Sequence, residues 1–137
     1  MVQFYLLSVV MNALGGYILI KGDDDGVLEL KNVSFKNEVF RLVVGILSAI
    51  VGLLKILSVI EGDVPVIGDL IPALTGFLSG FILIFTYYRS HSSLDVTEQT
   101  EKTEKVDRLL VANKKIIGFT ALIAAALHFL FPTVLLL

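Results

Sequence analysis

Four apolar stretches, at about residues 3 to 20, 39 to 60, 66 to 88 and 114 to 137, constrain this chain more than any other feature. Each is near the ~20 residues an α-helix needs to cross the hydrocarbon core of a bilayer. The whole chain has 137 residues, 55% of them hydrophobic, with a mean hydropathy of +0.85. That is more apolar surface than one small core hides, and the surplus is expected to face lipid. The expected fold class is therefore all-α: one domain, residues 1–137, forming an integral membrane four-helix bundle. The first stretch lacks a basic leader, and the run from Met11 to Gly16 offers no convincing small-residue cleavage site, so it reads as a helix of the bundle rather than as a signal peptide.

Charge gives the expected orientation. Of 11 basic residues, Lys21, Lys31, Lys36 and Arg41 lie in or beside the first loop, and Arg89, Lys102, Lys105, Arg108, Lys114 and Lys115 in or beside the third. The second loop has none, and Lys55 is the basic residue nearest it. By the positive-inside rule, both long loops face the cytoplasm and both termini the outside of a multi-pass cell (inner) membrane protein. Acids interleave these bases, for a net charge of −2, so no nucleic-acid partner is expected. The absence of cysteine excludes thiol redox chemistry and thiolate metal sites.

Local signals mark the boundaries. The run Lys21, Gly22, Asp23, Asp24, Asp25, Gly26 cannot continue a membrane helix, and Asn32 or Ser34 is the expected cap of the second helix. The short acidic stretch from Glu61 to Asp69 predicts a tight turn between adjacent, antiparallel spans. Within the loop at 89–113, Asp95 and Glu98 are spaced as a capping box. Glu98 with Lys102, Glu101 with Lys105 and Glu104 with Arg108 are spaced for i, i+4 pairs. No Gly or Pro interrupts 95–117, which predicts a charged cytoplasmic helix running directly into the fourth span.

The spans also resemble one another. Arg41, Gly45, Ser48, Gly52 and Lys55 align without gaps on Lys114, Gly118, Ala121, Ala125 and His128, and both sets are spaced 4, 3, 4, 3 and read base, small, small, small, base. The run from Leu14 to Ile20 matches that from Leu78 to Ile84, so that Gly16 corresponds to Gly80. A two-helix hairpin repeated in the same orientation predicts a pseudo-two-fold axis along the membrane normal. The small residues of these stripes, with Gly76, are read first as helix-packing surface, since close backbone approach holds helices together in lipid.

Ionisable groups inside spans are costly, which singles out Lys55, Asp69 and His128. The repeat puts Lys55 and His128 at one depth and makes Tyr5 the equivalent of Asp69, predicting the pairs Lys55 with Asp69 and His128 with Tyr5. The structural alternative is that Asp69 caps the third helix, Lys55 snorkels to the headgroups and His128 is simply packed. Pro132 lies four residues after His128 and removes the helical donor to its carbonyl. The consecutive acids Asp23 to Asp25 do not alternate as a calcium loop does, and Ser90, His91, Ser92 and Ser93 lack an acid partner, so neither metal nor catalytic chemistry is expected there. Tyr87, Tyr88 and Arg89 read as an interfacial anchor.

No small four-span family fits: the first span lacks the embedded acid of small multidrug exporters, and thiol-dependent quinone reductases need cysteines. The expectation is a non-enzymatic, cofactor-free transport- or channel-type protein for an ion or small polar solute. It is expected to sit in the lipid bilayer as a homo-oligomer, with Lys55, Asp69, His128 and Tyr5 on the pathway. The alternative is a membrane scaffold or accessory subunit that binds a cytoplasmic protein partner through its charged helix.

Overall fold

The computed structural model describes residues 2–23, 29–30, 33–57, 70–91 and 101–131. The chain is predominantly helical. Its helices are α1 (Val2–Lys21), α2 (Glu38–Leu57), α3 (Leu70–His91), α4 (Glu101–Ala112) and α5 (Lys114–Leu130). Between α1 and α2, β1 (Glu29–Leu30) and β2 (Val33–Ser34) form a minimal antiparallel ladder, with Glu29 opposite Ser34 and Leu30 opposite Val33.

Three helices are long and apolar enough to cross a membrane: Gln3–Lys21, Glu38–Leu57 and Leu70–His91. A fourth span results if the bent pair α4 and α5 is counted as one. Only 39%, 33% and 44% of the three windows are buried inside the protein. The outward surface is instead built from large apolar side chains such as Leu6, Ile46, Leu53, Phe81 and Phe119. Helices that are apolar on both their inner and outer faces are the pattern of membrane spans.

The most extensive interfaces are α2 on α3 and α1 on α5; α3 also packs against α1 and α5, and α1 against α2. Glycines set both main interfaces. A Cβ on Gly16 would stand 2.7 Å from the Gly118 carbonyl oxygen, and one on Gly118 would stand 2.8 Å from that of Gly16. On the other interface, a Cβ on Gly80 would meet the Gly45 oxygen at 2.5 Å and one on Gly45 would meet that of Gly80 at 3.0 Å. Any side chain there pushes the backbones apart and removes the dispersion contacts that hold helices together in lipid. Gly52 belongs to the same α2 and α3 contact, 2.7 Å from the Ala73 oxygen by the same measure, while Ala121 and Ala125 are buried on α5. An apolar cluster of Ile18, Leu19, Phe35, Val44, Ile82 and Leu83 fills the end of the molecule nearest Lys21. Phe35 stands edge-on to Tyr17 and Phe40 and tucks the first loop under the helices.

Two boundaries differ from the sequence expectation. The cap of α2 is Asn37, not Asn32 or Ser34: its Oδ1 accepts from the Val39 and Phe40 amides at 2.9 and 3.3 Å. Ser34 instead closes the preceding turn, with its carbonyl accepting from the Asn37 amide at 3.0 Å. The charged helix is not continuous with the helix that follows it, because α4 and α5 meet at an angle of 49° around Asn113. Asn113 Nδ2 donates to the Leu109 carbonyl at 2.7 Å and so competes for the acceptor that its own amide would use in an unbroken helix. Its backbone leaves the helical region, with φ −99° and ψ 5°. The capping box of Asp95 and Glu98 lies outside the described residues, as do the first i, i+4 pair and the segment from 58 to 69.

Candidate functional site

Polar groups occupy three levels along the helices. At the level of the N-terminus of α1, Lys55 Nζ lies 2.8 Å from His128 Nε2. An ammonium and an imidazolium are both donors only, so this contact exists when the pair carries at most one cationic proton. His128 has no exposed surface and Lys55 is 8% exposed, so the pair is buried. Tyr5 completes the layer: its ring lies 4.6 Å from that of His128, and Lys55 Nζ stands 5.9 Å from the Tyr5 ring centre. The Tyr5 hydroxyl donates to the backbone carbonyl of His128. Pro132, having no N–H, cannot offer a helical donor to that carbonyl, and Tyr5 supplies one from another helix.

This layer contains three of the four residues singled out for the pathway; Asp69 lies outside the described residues. The direct bond from Lys55 to His128 was not expected, since the repeat assigned each a different partner. Both lie on the stripe of small residues, and that shared stripe was the available signal.

The middle level was missed. Asn12, 2% exposed, donates through Nδ2 to the carbonyls of Ser8 at 3.1 Å and Pro72 at 2.9 Å, and its Oδ1 accepts from Thr75 Oγ1 at 2.7 Å. Ser48 Oγ donates to the Met11 carbonyl at 3.1 Å, and Ser79 Oγ donates to that of Gly76 at 3.1 Å. All are buried. An amide in the middle of an apolar span is itself a signal, because a polar group there needs a partner on a neighbouring helix.

The third level opens to solvent. A cavity of about 190 Å³ is bounded by Asp23, Glu38, Arg41, Thr86, Tyr87, Ser90 and Lys114 over a floor of Ile18, Leu19 and Leu83. Its basic residues begin the two stripes aligned in the sequence, and both meet one carboxylate: Arg41 Nη1 donates to Asp23 Oδ1 at 3.0 Å, and Lys114 Nζ to Asp23 Oδ2. Arg41 is held from behind, with Nε donating to the Phe35 carbonyl at 2.8 Å and Nη2 to that of Gly22. The Lys114 hydrogen bond, aided by that of Arg41 and by both charges, outweighs partial burial and lowers the Asp23 pKa below 3.8. Glu38, also on the cavity wall, lies 3.5 Å from His91 Nε2. Among the described residues, no group of three or more His, Cys, Asp or Glu could hold a metal ion.

A protein-family model that carries no functional description matches residues 1–128. A protein of Treponema pallidum (strain Nichols), described as uncharacterized, is 33% identical over 137 residues, spanning 100% of both chains. No solved structure matches. The chain therefore belongs to the uncharacterised family defined by that model over residues 1–128, and its own apolar helices are compatible with a membrane protein.

Proposed function

We propose that this chain is a duplicated two-helix hairpin forming a four-helix membrane bundle, and that it acts as a transport-type protein for an ion or small polar solute. The observation that carries the reading is the meeting of equivalent residues. With α1 aligned on α3 and α2 on α5, Lys55 bonds to its equivalent His128, and Arg41 and its equivalent Lys114 share Asp23. Asn12 faces its equivalent Gly76, whose added Cβ would lie 3.2 Å from Asn12 Nδ2, and Gly15 faces its equivalent Ser79 at 3.0 Å by the same measure. Residues on a two-fold axis meet their own counterparts, and residues off it contact in exchanged pairs. The exchanged pairs are Gly16 with Gly118 and Gly80 with Gly45. α2 and α5 then stand diagonally across the axis.

The polar levels give the bundle two unlike ends. Solute enters the cavity beside Arg41 and Lys114, and the layer of Lys55, His128 and Tyr5 closes the far end. The distribution of Lys and Arg supports a cytoplasmic position for the cavity and for 89–113, with both termini outside. Four helices enclose little interior, so the working form is a homo-oligomer. Reconstitution into vesicles tests the reading with a panel of ions and small polar solutes: flux is expected from wild type and is lost in Lys55→Met/His128→Leu protein that remains folded. Undiminished flux in that variant sinks the pathway.

Two observations favour a second reading, that of an accessory subunit without transport. His128 is fully buried, and α4 turns away from α5 by 49° with Val106 and Leu109 exposed. Under that reading a cytoplasmic protein binds α4, and replacing Val106 and Leu109 with Ser abolishes its capture while no solute crosses the vesicle membrane.

A further inference from the structure

The cavity beside α1, α2, α3 and α5 holds two cations pinned from different helices on a single carboxylate, and that carboxylate is the least anchored of the three groups. Asp23 lies beyond the end of α1, and its side chain is 61% exposed. Arg41 and Lys114 are 17% and 27% exposed. Arg41 is further fixed by the carbonyls of Phe35 and Gly22. A guanidinium held through Nε and Nη2 presents its remaining edge in a set direction, and a planar or tetrahedral oxyanion is what such an edge recognises. Lys114 supplies a point charge on the other oxygen. Thr86, Tyr87 and Ser90 line the cavity, with the Thr86 and Ser90 hydroxyls donating to the Ile82 and Tyr87 carbonyls at 2.8 and 2.9 Å, and about 190 Å³ is room for a small group, well below the ~300–1,000 Å³ of drug-sized sites. Glu38 lines the same cavity, and its carboxylate lies 3.5 Å from His91 Nε2.

We infer that this cavity is a binding site for a small phosphate-type oxyanion, and that Asp23 is its tethered stand-in, displaced from Arg41 and Lys114 when the anion arrives. The inference rests on the cavity assigned above as the solute entrance and names the class of ligand it takes. The anion comes either free from solution or as the headgroup of an acidic phospholipid, since basic pockets between helices at a membrane surface recognise both by the same contacts. A tethered competitor lowers apparent affinity by the fraction of time the site is free, so removing it strengthens binding. This is the reverse of what loss of a structural ion pair does.

The test uses the full-length protein in nanodiscs, with inorganic phosphate as the free probe and phosphatidylglycerol against phosphatidylcholine as the lipid probe. Phosphate binding is read by calorimetry, and lipid retention by native mass spectrometry. Asp23→Asn and Asp23→Ala are both expected to bind one of the two probes about tenfold more tightly than wild type. Arg41→Gln is expected to lose that binding, and Arg41→Lys to retain part of it. Enhanced binding of phosphate assigns the free anion, and enhanced retention of phosphatidylglycerol alone assigns the headgroup. Equal binding by wild type and both Asp23 variants, or no binding of either probe by folded protein, overturns the inference. Binding without vesicle flux removes the transport reading and leaves the anion site standing. Flux of another solute without anion binding does the opposite.

Discussion

The hydroxyl of Tyr5 donates to the backbone carbonyl of His128, the acceptor that Pro132 leaves without a helical donor. A carbonyl of the last turn of α5 thus receives its donor from another helix, which ties the start of α1 to the end of α5. The dependence is testable by a double-mutant cycle. Tyr5→Phe is expected to cost about 1–2 kcal/mol of unfolding free energy in detergent, the cost of a buried polar group left without its partner. Pro132→Ala restores an N–H at the fourth position on, and Tyr5→Phe in that background is expected to cost less than half as much. Equal costs in both backgrounds would show that the hydroxyl does not replace the missing donor.

Lys55 and His128 share a buried hydrogen bond, so each single replacement takes one partner away from the other polar group. His128→Leu and Lys55→Met are each expected to destabilise by about 1–3 kcal/mol, and the double variant by less than their sum. Strictly additive losses, measured as shifts in the denaturation midpoint, would mean that the contact at 2.8 Å contributes no coupling.

Glycine at the crossing points separates packing from chance composition. Gly16→Ala and Gly80→Ala place a methyl 2.7 and 2.5 Å from facing backbone oxygens, and each is expected to cost about 1–3 kcal/mol. Gly76→Ala meets the amide end of Asn12 at 3.2 Å, a side chain that can shift, and is expected to cost less. A ranking with Gly76→Ala worst would contradict the interfaces described.

Much of this was legible in the sequence because apolar length and small-residue spacing are local properties. The end of α1 and the starts of α2 and α5 lie where charge resumes, and Gly45, Gly52 and Gly118 on the stripes, with Gly80, allow the approach seen because they lack a Cβ. The direct bond between Lys55 and His128 was not legible: a linear pattern gives depth and face but not which side chains of facing helices touch. The bend at Asn113 was missed for a related reason, since an Asn that stays helical and one that captures the carbonyl four residues back look alike in a row of letters. Asn37 took the cap from Ser34 because the turn after β2 had already used Ser34.

Asp23 makes stability depend on acid pH. Its pKa is lower folded than unfolded, because Lys114 and Arg41 stabilise the carboxylate, so its contribution is present in full above the ordinary value of 3.8 and is lost as pH falls through the depressed folded value. The group is largely exposed, so the effect is expected to be at most about 1 kcal/mol. Thermal midpoints of wild type should fall more steeply below pH 4 than those of Asp23→Asn; parallel curves would remove the role of this carboxylate.

The central claim is that the bundle is open beside Arg41 and Lys114 and closed at Lys55 and His128. The chain has no cysteine, so single cysteines can report on this directly. In sealed vesicles of known orientation, Thr86→Cys and Ser90→Cys are expected to react with a membrane-impermeant thiol reagent from the cytoplasmic side, while Ser8→Cys and Ser48→Cys stay unreactive from both sides. Labelling of Ser8→Cys or Ser48→Cys in folded protein, or labelling of Ser90→Cys from the outer side alone, would contradict the account.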